Sequence, residues 1–142
     1  MLRRTEPIKG AAYVVAQFAG SLSAWGLYTY LVGPISKAID NGFDMKIFLA
    51  EALGVVMLTL AIGMVIERNV HGGQAAATIG LGLFIGLVFA SVASGAVLNP
   101  AVAIAIGLGT PEYILGPIAG GIVGLAISAL IFPKLLNKLT TK

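Results

Sequence analysis

The 142-residue sequence contains no cysteine, and only 11% of its residues are charged. Without cysteine, the chain forms no disulfide and holds no metal ion through thiolate ligands. An ordinary soluble domain carries about 25% charged residues, so the low charge excludes that class. Because hydrophobic residues make up 58% of the chain, the sequence indicates a membrane protein.

The sequence also lacks the residue patterns of enzyme active sites. It has a single histidine, and it shows no nucleophile paired with a base, no phosphate-binding glycine loop and no cluster of metal ligands. We therefore expect no enzymatic activity, no cofactor and no catalytic or metal-binding residues. The net charge of +3 is better explained by membrane topology than by nucleic acid, which we do not expect as a partner.

Four apolar runs are present, each long enough to cross a bilayer. A crossing helix needs about 20 mostly apolar residues, and the runs cover approximately 11–32, 47–66, 75–96 and 113–132. Basic residues precede the first run, but it is too long for a signal peptide. Little sequence remains outside the runs. We predict an all-α membrane protein with four transmembrane helices, in which residues 1–142 form a single membrane domain.

The distribution of lysine and arginine predicts the orientation. If both termini are cytoplasmic, seven of the nine basic residues lie inside and only Lys37 and Lys46 lie outside. The seven are Arg3, Arg4, Lys9, Arg68, Lys134, Lys138 and Lys142. Because basic residues are enriched in cytoplasmic segments, we predict a multi-pass protein of the cell membrane with cytoplasmic N- and C-termini.

One uncharged segment is about twice as long as a single crossing needs. It runs from residue 72 to 111 and contains Gly95, Asn99 and Pro100, which break or cap helices. Asparagine is favoured as an N-cap and proline at the first helical position. We therefore predict one re-entrant half-helix over approximately 99–108, ended by Gly107 or Gly109.

A half-helix at membrane depth suggests a passage. Irregular backbone is tolerated there only where it is buried in protein or lines a water-filled cavity. The carbonyl groups before Asn99 and the Asn99 amide would border this passage, and the helix N-terminus would oppose cations and protons. The motif thus predicts a pathway for small neutral molecules. The alternative is that Asn99 only caps an interfacial helix, since Asn-Pro pairs mark many turns.

Small residues recur at four-residue spacing in several of the apolar runs. Such spacing lets helix backbones approach closely in lipid, so we predict helix contacts at these positions. They are Ala16 and Gly20, Gly82 and Gly86, and Gly116, Gly120 and Gly124.

The segment SGAVLNPAVAIA resembles the Asn-Pro-Ala signature of the aquaporin and aquaglyceroporin (major intrinsic protein) family. FLAEALG, AAATIGLGLFIG and YILGPIAGGIVG are similar to the fourth, fifth and sixth family helices, and AAYVVAQFAGSLSAWGLYTYL to the third. The resemblance implies a channel of six spans and two half-helices that meet at mid-membrane, usually assembled as a tetramer. The chain matches only the third span and the second repeat, so the first two spans and the first half-helix have no counterpart. Arg3 and Arg4 resemble the basic turn after the missing half-helix, which suggests a fragment or one piece of a split channel.

The resemblance also assigns roles to single residues. Asn99 would be the hydrogen-bond donor at the pore centre, Pro100 would set the helix start, and Ala101 would pack against the partner motif. Glu51 would support the re-entrant loop by accepting hydrogen bonds from its backbone. The alternative for Glu51 is that it reaches the membrane interface near Lys46.

Three residues align with the outer constriction of the family: Leu87, Ala96 and Val102. Water-conducting members usually have histidine at the first position and arginine at the third, and glycerol-conducting members have glycine and arginine. The apolar residues here put strict water or glycerol selectivity in doubt. They suggest less polar solutes, gases or a wider pore, unless they are ordinary lipid-facing or core side chains.

The function expected from the sequence is a passive channel for water or small neutral solutes. The chain would act as part of a larger or split channel. A non-conducting half-channel fragment, scaffold or regulatory subunit is the main alternative. A small transporter of antiparallel chains is disfavoured by the charge bias. The expected partners are membrane lipid, further copies in a tetramer, or a chain that supplies the missing half.

Overall fold

A computed structural model describes residues 6–33 and 42–140 of the chain, with side chains up to Phe132. Its five helices, in order, are α1 (Pro7–Val32), α2 (Met45–Glu67), α3 (Gly72–Ala90), α4 (Pro100–Ala105) and α5 (Pro111–Thr140). No strand occurs in these two ranges, so the all-α prediction is confirmed for them. Four of the basic residues used to predict topology lie outside the described residues: Arg3, Arg4, Lys37 and Lys142.

Three helices are long and apolar enough to cross a membrane. They are α2, α3 and the Pro111–Phe132 part of α5. Helix α1 has 26 residues, which at about 1.5 Å per residue is long enough for a crossing. It is less apolar than the other three because it carries Gln17, Thr29, two serines and three tyrosines. A crossing by α1 therefore stays a prediction.

The predicted ends of several elements differ from the structure. Helix α1 begins at Pro7 rather than at 11, and α5 covers Pro111–Thr140 rather than 113–132. Helix α3 ends at Ala90, before the expected residue 96, and α4 covers Pro100–Ala105 rather than 99–108. Gly107 ends α4 because it adopts a left-handed φ of 81°. Its N–H donates to the Ile104 carbonyl at 3.2 Å and the Leu108 N–H to the Ala103 carbonyl at 2.8 Å, the pattern of a Schellman motif.

Helix α2 lies at the centre of the larger group of helices. It packs against α3 on one side and α5 on the other, whereas α4 contacts α1 and α5. Val55 of α2, Ala90 at the end of α3 and Leu98 before α4 form a buried apolar cluster. By contrast, α1 has no fully buried residue. Its packing partner among the described helices is α4.

The small residues of α3 and α5 allow close approach to α2. A Cβ atom at Gly116 would lie 2.8 Å from the Phe48 carbonyl oxygen, and one at Gly120 would overlap the Ala52 backbone. Contacts of the same kind occur at Gly82, Gly86 and Gly124, so the predicted packing is confirmed for these helices. At Gly20 an added Cβ would meet no described residue within 4 Å, so close packing at this position stays a prediction.

Candidate functional site

Asn99 is the N-cap of α4, as the sequence predicts. Its backbone is extended, with φ −149° and ψ 117°, and its Oδ1 accepts a hydrogen bond from the Ala101 N–H at 2.9 Å. Pro100 occupies the first helical position, where its missing N–H leaves no donor unpaired. The predicted helix start is therefore confirmed, while the pore role of this motif stays a prediction.

The loop 91–99 before α4 contains two residues in an unusual backbone conformation. Ala96 has a φ of 51° and Leu98 a φ of 55°, in the left-handed region that favours glycine. Each such residue costs about 1–2 kcal/mol and persists only where surrounding contacts fix it. The loop therefore needs strong support from neighbouring elements.

Glu51 of α2 contacts the loop through both oxygens of its carboxyl group. Its Oε1 accepts hydrogen bonds from the Ser94 hydroxyl at 2.7 Å and the Val97 N–H at 3.0 Å. Its Oε2 accepts one from the Leu98 N–H at 2.6 Å. Glu51 is 0% exposed, so its carboxyl group does not reach the surface beside Lys46. The role of Glu51 in supporting the loop, which the family resemblance implied, stays a prediction.

Tyr113 in the first turn of α5 contacts the same loop at Gly95, between two of the residues that bind Glu51. Its hydroxyl accepts a hydrogen bond from the Gly95 N–H at 2.8 Å, and the residue is buried. Tyr113 was not among the site residues predicted from the sequence. The available signal was a tyrosine at the start of an apolar helix, a pattern equally typical of residues at a membrane interface.

In this loop the backbone N–H groups and the carbonyl groups differ in their hydrogen bonding. Every N–H group from residue 91 to 98 donates to a protein acceptor. The carbonyl groups of residues 91–98 accept no hydrogen bond from the described part of the chain. Since no described group donates to them, these carbonyl oxygens can accept hydrogen bonds from water or from a solute.

Helix α1 meets the start of α4 through a pair of side-chain amides. The Asn99 Nδ2 donates a hydrogen bond to the Gln17 Oε1 at 3.1 Å. Gln17 is exposed and Asn99 is half-buried. The amide of Asn99 thus connects its own helix start with a polar group of α1.

An open groove of about 550 Å³ runs between α1 and α4. Its walls are mostly apolar. The lining residues are Gly20, Ser21, Ala24, Trp25 and Tyr28 of α1, with Val102 of α4 and Ile106 just after it.

The structure brings together two of the three residues predicted to form a constriction. Leu87 and Ala96 both pack against the cluster of Val55, Ala90 and Leu98, whereas Val102 lines the groove beside α1. Their role as a constriction stays a prediction. Ala101, expected to pack against a partner motif, is already buried within this chain, with 4% of its surface exposed.

The side chains described in the structure include no group of three or more His, Cys, Asp or Glu residues that could hold a metal ion. The hydrogen bonds of the site involve backbone groups, side-chain amides and the carboxyl group of Glu51. These are groups that donate and accept hydrogen bonds.

Comparison with known proteins gives one relative. The chain is 29% identical over 133 residues to Nodulin-26 of Glycine max, an alignment that covers 86% of this chain and 49% of that protein. The chain thus spans about half the length of the curated relative it matches. No family model matches the chain, and no solved structure matches it. Nodulin-26 is a member of the aquaporin (major intrinsic protein) family, and its similarity confirms the resemblance of this chain to that family.

Proposed function

We propose that the chain forms part of a passive membrane channel for water and small neutral solutes. The observation that carries this proposal is the loop 91–99, which leads directly to the Asn99 amide. The carbonyl groups of residues 91–98 in this loop accept no hydrogen bond from the described residues. The relative belongs to a family of channels rather than enzymes, which supports the same function.

The loop and α4 supply both kinds of hydrogen-bonding group that a neutral solute needs. The carbonyls of residues 91–98 accept hydrogen bonds, and the Nδ2 of Asn99 donates them. Together they replace the water that a solute leaves behind on entering a narrow passage. An amide N–H repels a cation, so the donor at Asn99 works against ion passage. Glu51 and Tyr113 keep these groups in place from behind the loop.

The membrane arrangement is part of the same proposal. Helices α1, α2, α3 and α5 cross the bilayer, α4 is a re-entrant half-helix, and both termini are cytoplasmic. Large apolar side chains such as Leu22, Phe84 and Ile122 are more than half exposed, as expected of residues that contact lipid. Further copies in a tetramer, or a chain that supplies the rest of the pore wall, would complete the channel.

The apolar residues Leu87, Ala96 and Val102 are proposed to form its constriction. They offer no fixed charge and no side-chain donor, so selectivity would depend on the backbone carbonyls and on Asn99. We expect small neutral solutes to pass and ions to be excluded.

Osmotic swelling of proteoliposomes tests the channel function. Vesicles with the wild-type chain should swell several-fold faster than empty vesicles, and Asn99→Asp should remove most of this difference because it replaces the amide donors with a negative charge. Asn69→Asp is the matched control, since Asn69 lies in the turn after α2. Wild-type swelling no faster than that of empty vesicles would show that the chain does not conduct by itself.

A non-conducting half-channel or scaffold subunit is the second candidate. It is favoured by the alignment with only 49% of Nodulin-26 and by the absence of any fully buried residue in α1. This candidate predicts a folded chain that does not speed swelling alone and binds a longer relative in the same membrane. Swelling that depends on Asn99 would exclude it.

A further inference from the structure

We propose that Ser94 is a positioning residue of the passage, whose hydroxyl group directs the carbonyl group of Gly95 toward the solute. This inference rests on the proposed channel function and deepens it. Ser94 acts through the backbone of the loop and does not itself bind the solute.

Four successive backbone N–H groups of the loop donate to side chains. They belong to Gly95, Ala96, Val97 and Leu98. Tyr113 binds the first of them, and Glu51 binds the last two. The second, the Ala96 N–H, donates to the Ser94 Oγ at 2.9 Å. Ser94 therefore holds the one group of the four that neither Tyr113 nor Glu51 binds.

An N–H group that is held in place also fixes the direction of a carbonyl group. In a trans peptide group, the N–H of one residue and the C=O of the residue before it point in opposite directions. The Ala96 N–H points to the Ser94 Oγ, so the Gly95 carbonyl points away from it. Gly95 is exposed, and no described residue donates to its carbonyl oxygen. This oxygen can therefore accept a hydrogen bond from a solute.

The Ser94 hydroxyl is itself held by neighbouring acceptors. It donates to the Glu51 Oε1 at 2.7 Å, and the Ala90 carbonyl oxygen lies 3.0 Å away. A hydroxyl group has one hydrogen to donate and can accept at the same time, so Ser94 accepts from Ala96 while it donates. The hydroxyl thus connects the carboxyl group of α2 with the backbone of Ala96.

This connection stabilises an unfavourable backbone conformation. Ala96 has a φ of 51°, in the left-handed region that alanine does not favour. Without the Ser94 hydroxyl, the Ala96 N–H would lose its acceptor in the protein. We expect the peptide group between Gly95 and Ala96 then to rotate, which turns the Gly95 carbonyl out of the passage.

Swelling assays on Ser94→Ala test the transport role, with water and glycerol as probes and the flux through empty vesicles subtracted. Water flux should fall by about fivefold, the factor corresponding to one net hydrogen bond. Glycerol carries three hydroxyl groups and must find several acceptors at once, so its flux should fall more and the ratio of glycerol to water flux should decrease. A smaller amount of folded protein would lower both rates by the same factor and leave this ratio unchanged.

Three further variants serve as comparisons in the same assay. Ser94→Thr keeps the hydroxyl group and should keep the wild-type ratio. Ser94→Cys keeps the size of the side chain but offers only a weak acceptor, so its ratio should lie between those of wild type and Ser94→Ala. Ser23→Ala removes a hydroxyl group from an exposed residue of α1 and should change neither rate.

Amide spectra test the contact independently of transport. The sequence contains two Gly-Ala pairs, Gly10-Ala11 and Gly95-Ala96. With ¹³C-carbonyl glycine and ¹⁵N-alanine, only these two pairs give a signal that links a labelled carbonyl to a labelled amide, and the first is identified by its loss in Ala11→Ser. Ser94→Ala should shift the Gly95-Ala96 signal and speed hydrogen exchange of the Ala96 N–H. The Gly10-Ala11 signal should stay in place as the internal control.

The outcomes separate the role of Ser94 from the channel function. A Gly95-Ala96 signal that does not respond to Ser94→Ala would overturn the contact, and Ser94→Cys decides this point if Ser94→Ala does not fold. A signal that responds while the flux ratio stays at the wild-type value would overturn only the positioning role. Wild-type vesicles no more permeable than empty ones would overturn the channel function and, with it, any role of Ser94 in transport, even if the spectra confirmed the contact.

Discussion

Glu51 shows how one buried side chain can determine the course of a loop. The backbone N–H groups of Val97 and Leu98 both donate to its carboxyl group, and Leu98 adopts a left-handed conformation there. Hydrogen bonds to a carboxylate are about twice as strong as those between neutral groups. They offset the cost of a backbone that neither Ala96 nor Leu98 favours on its own.

Replacing Glu51 with glutamine should destabilise the protein strongly. Glutamine keeps one acceptor oxygen, but its NH₂ group would face a donor of the loop. We expect the free energy of unfolding to fall by about 2–4 kcal/mol, measured by denaturant titration in detergent micelles. The control is Glu6→Gln, because the Glu6 side chain is 74% exposed and its ion pair with Lys9 should contribute less than about 1 kcal/mol. Equal stability of the two variants would rule out the support role of Glu51.

Removing the hydroxyl group of Tyr113 should loosen the same loop at Gly95. Tyr113→Phe leaves the Gly95 N–H without an acceptor, at a cost of about 1–3 kcal/mol. The direct measurement is hydrogen exchange at the Gly95 amide, which should become faster. Tyr13→Phe removes the same group from a residue that is 64% exposed and should leave this exchange unchanged. Unaltered exchange in Tyr113→Phe would contradict the assigned contact.

The residues of the site differ in how far the sequence could predict them. The helix start at Asn99 and Pro100 could be predicted from the sequence, because capping depends only on neighbouring backbone atoms. Glu51 stands out as an acidic residue in an apolar helix, and the family resemblance supplied its role. Tyr113 gives no such signal, since its partner is set by the approach of α5 to the loop. Gln17 could be placed in its helix from the sequence, but its contact with Asn99 depends on how α1 meets α4.

At the scale of whole helices, sequence patterns predict the elements better than their ends. Every apolar run corresponds to a helix, but α3 ends at Ala90 rather than at 96. The extra residues are apolar and give no stop signal. Their path is set by hydrogen bonds to Glu51 and Tyr113, which lie 43 or more and 18 residues away in the chain. Hydrophobicity alone cannot distinguish such a loop from a longer helix.

The contact between α5 and α2 should depend on the size of the residue at position 120. Gly120→Ala would place a methyl group against the Ala52 backbone, which cannot move without separating the helices. We expect a loss of about 1–3 kcal/mol in unfolding free energy, measured in detergent. Gly80→Ala in α3 is the matched control, since an added Cβ there meets nothing within 4 Å. It should be neutral or raise stability by up to about 1 kcal/mol. Similar stabilities for both variants would contradict the close α2 and α5 contact.

At the scale of the whole molecule, the described helices form two unequal groups. Helices α2, α3 and α5 pack together, and α1 is attached through α4. The groove and the amide pair lie where α1 meets α4. The proposed passage thus depends on the placement of α1, which is less apolar than the three helices that could cross a membrane.

Counting the membrane crossings tests whether α1 is a transmembrane helix. Four crossings place both termini on one side, whereas three place them on opposite sides. Reporter fusions at Met1 and Lys142 should both report a cytoplasmic location, because basic residues near the termini favour that side. A reporter inserted at the exposed Gly42 should report the outer side, and its signal is the control for export. Termini on opposite sides would mean that α1 does not cross, and α1 could not then line a transmembrane passage together with α4.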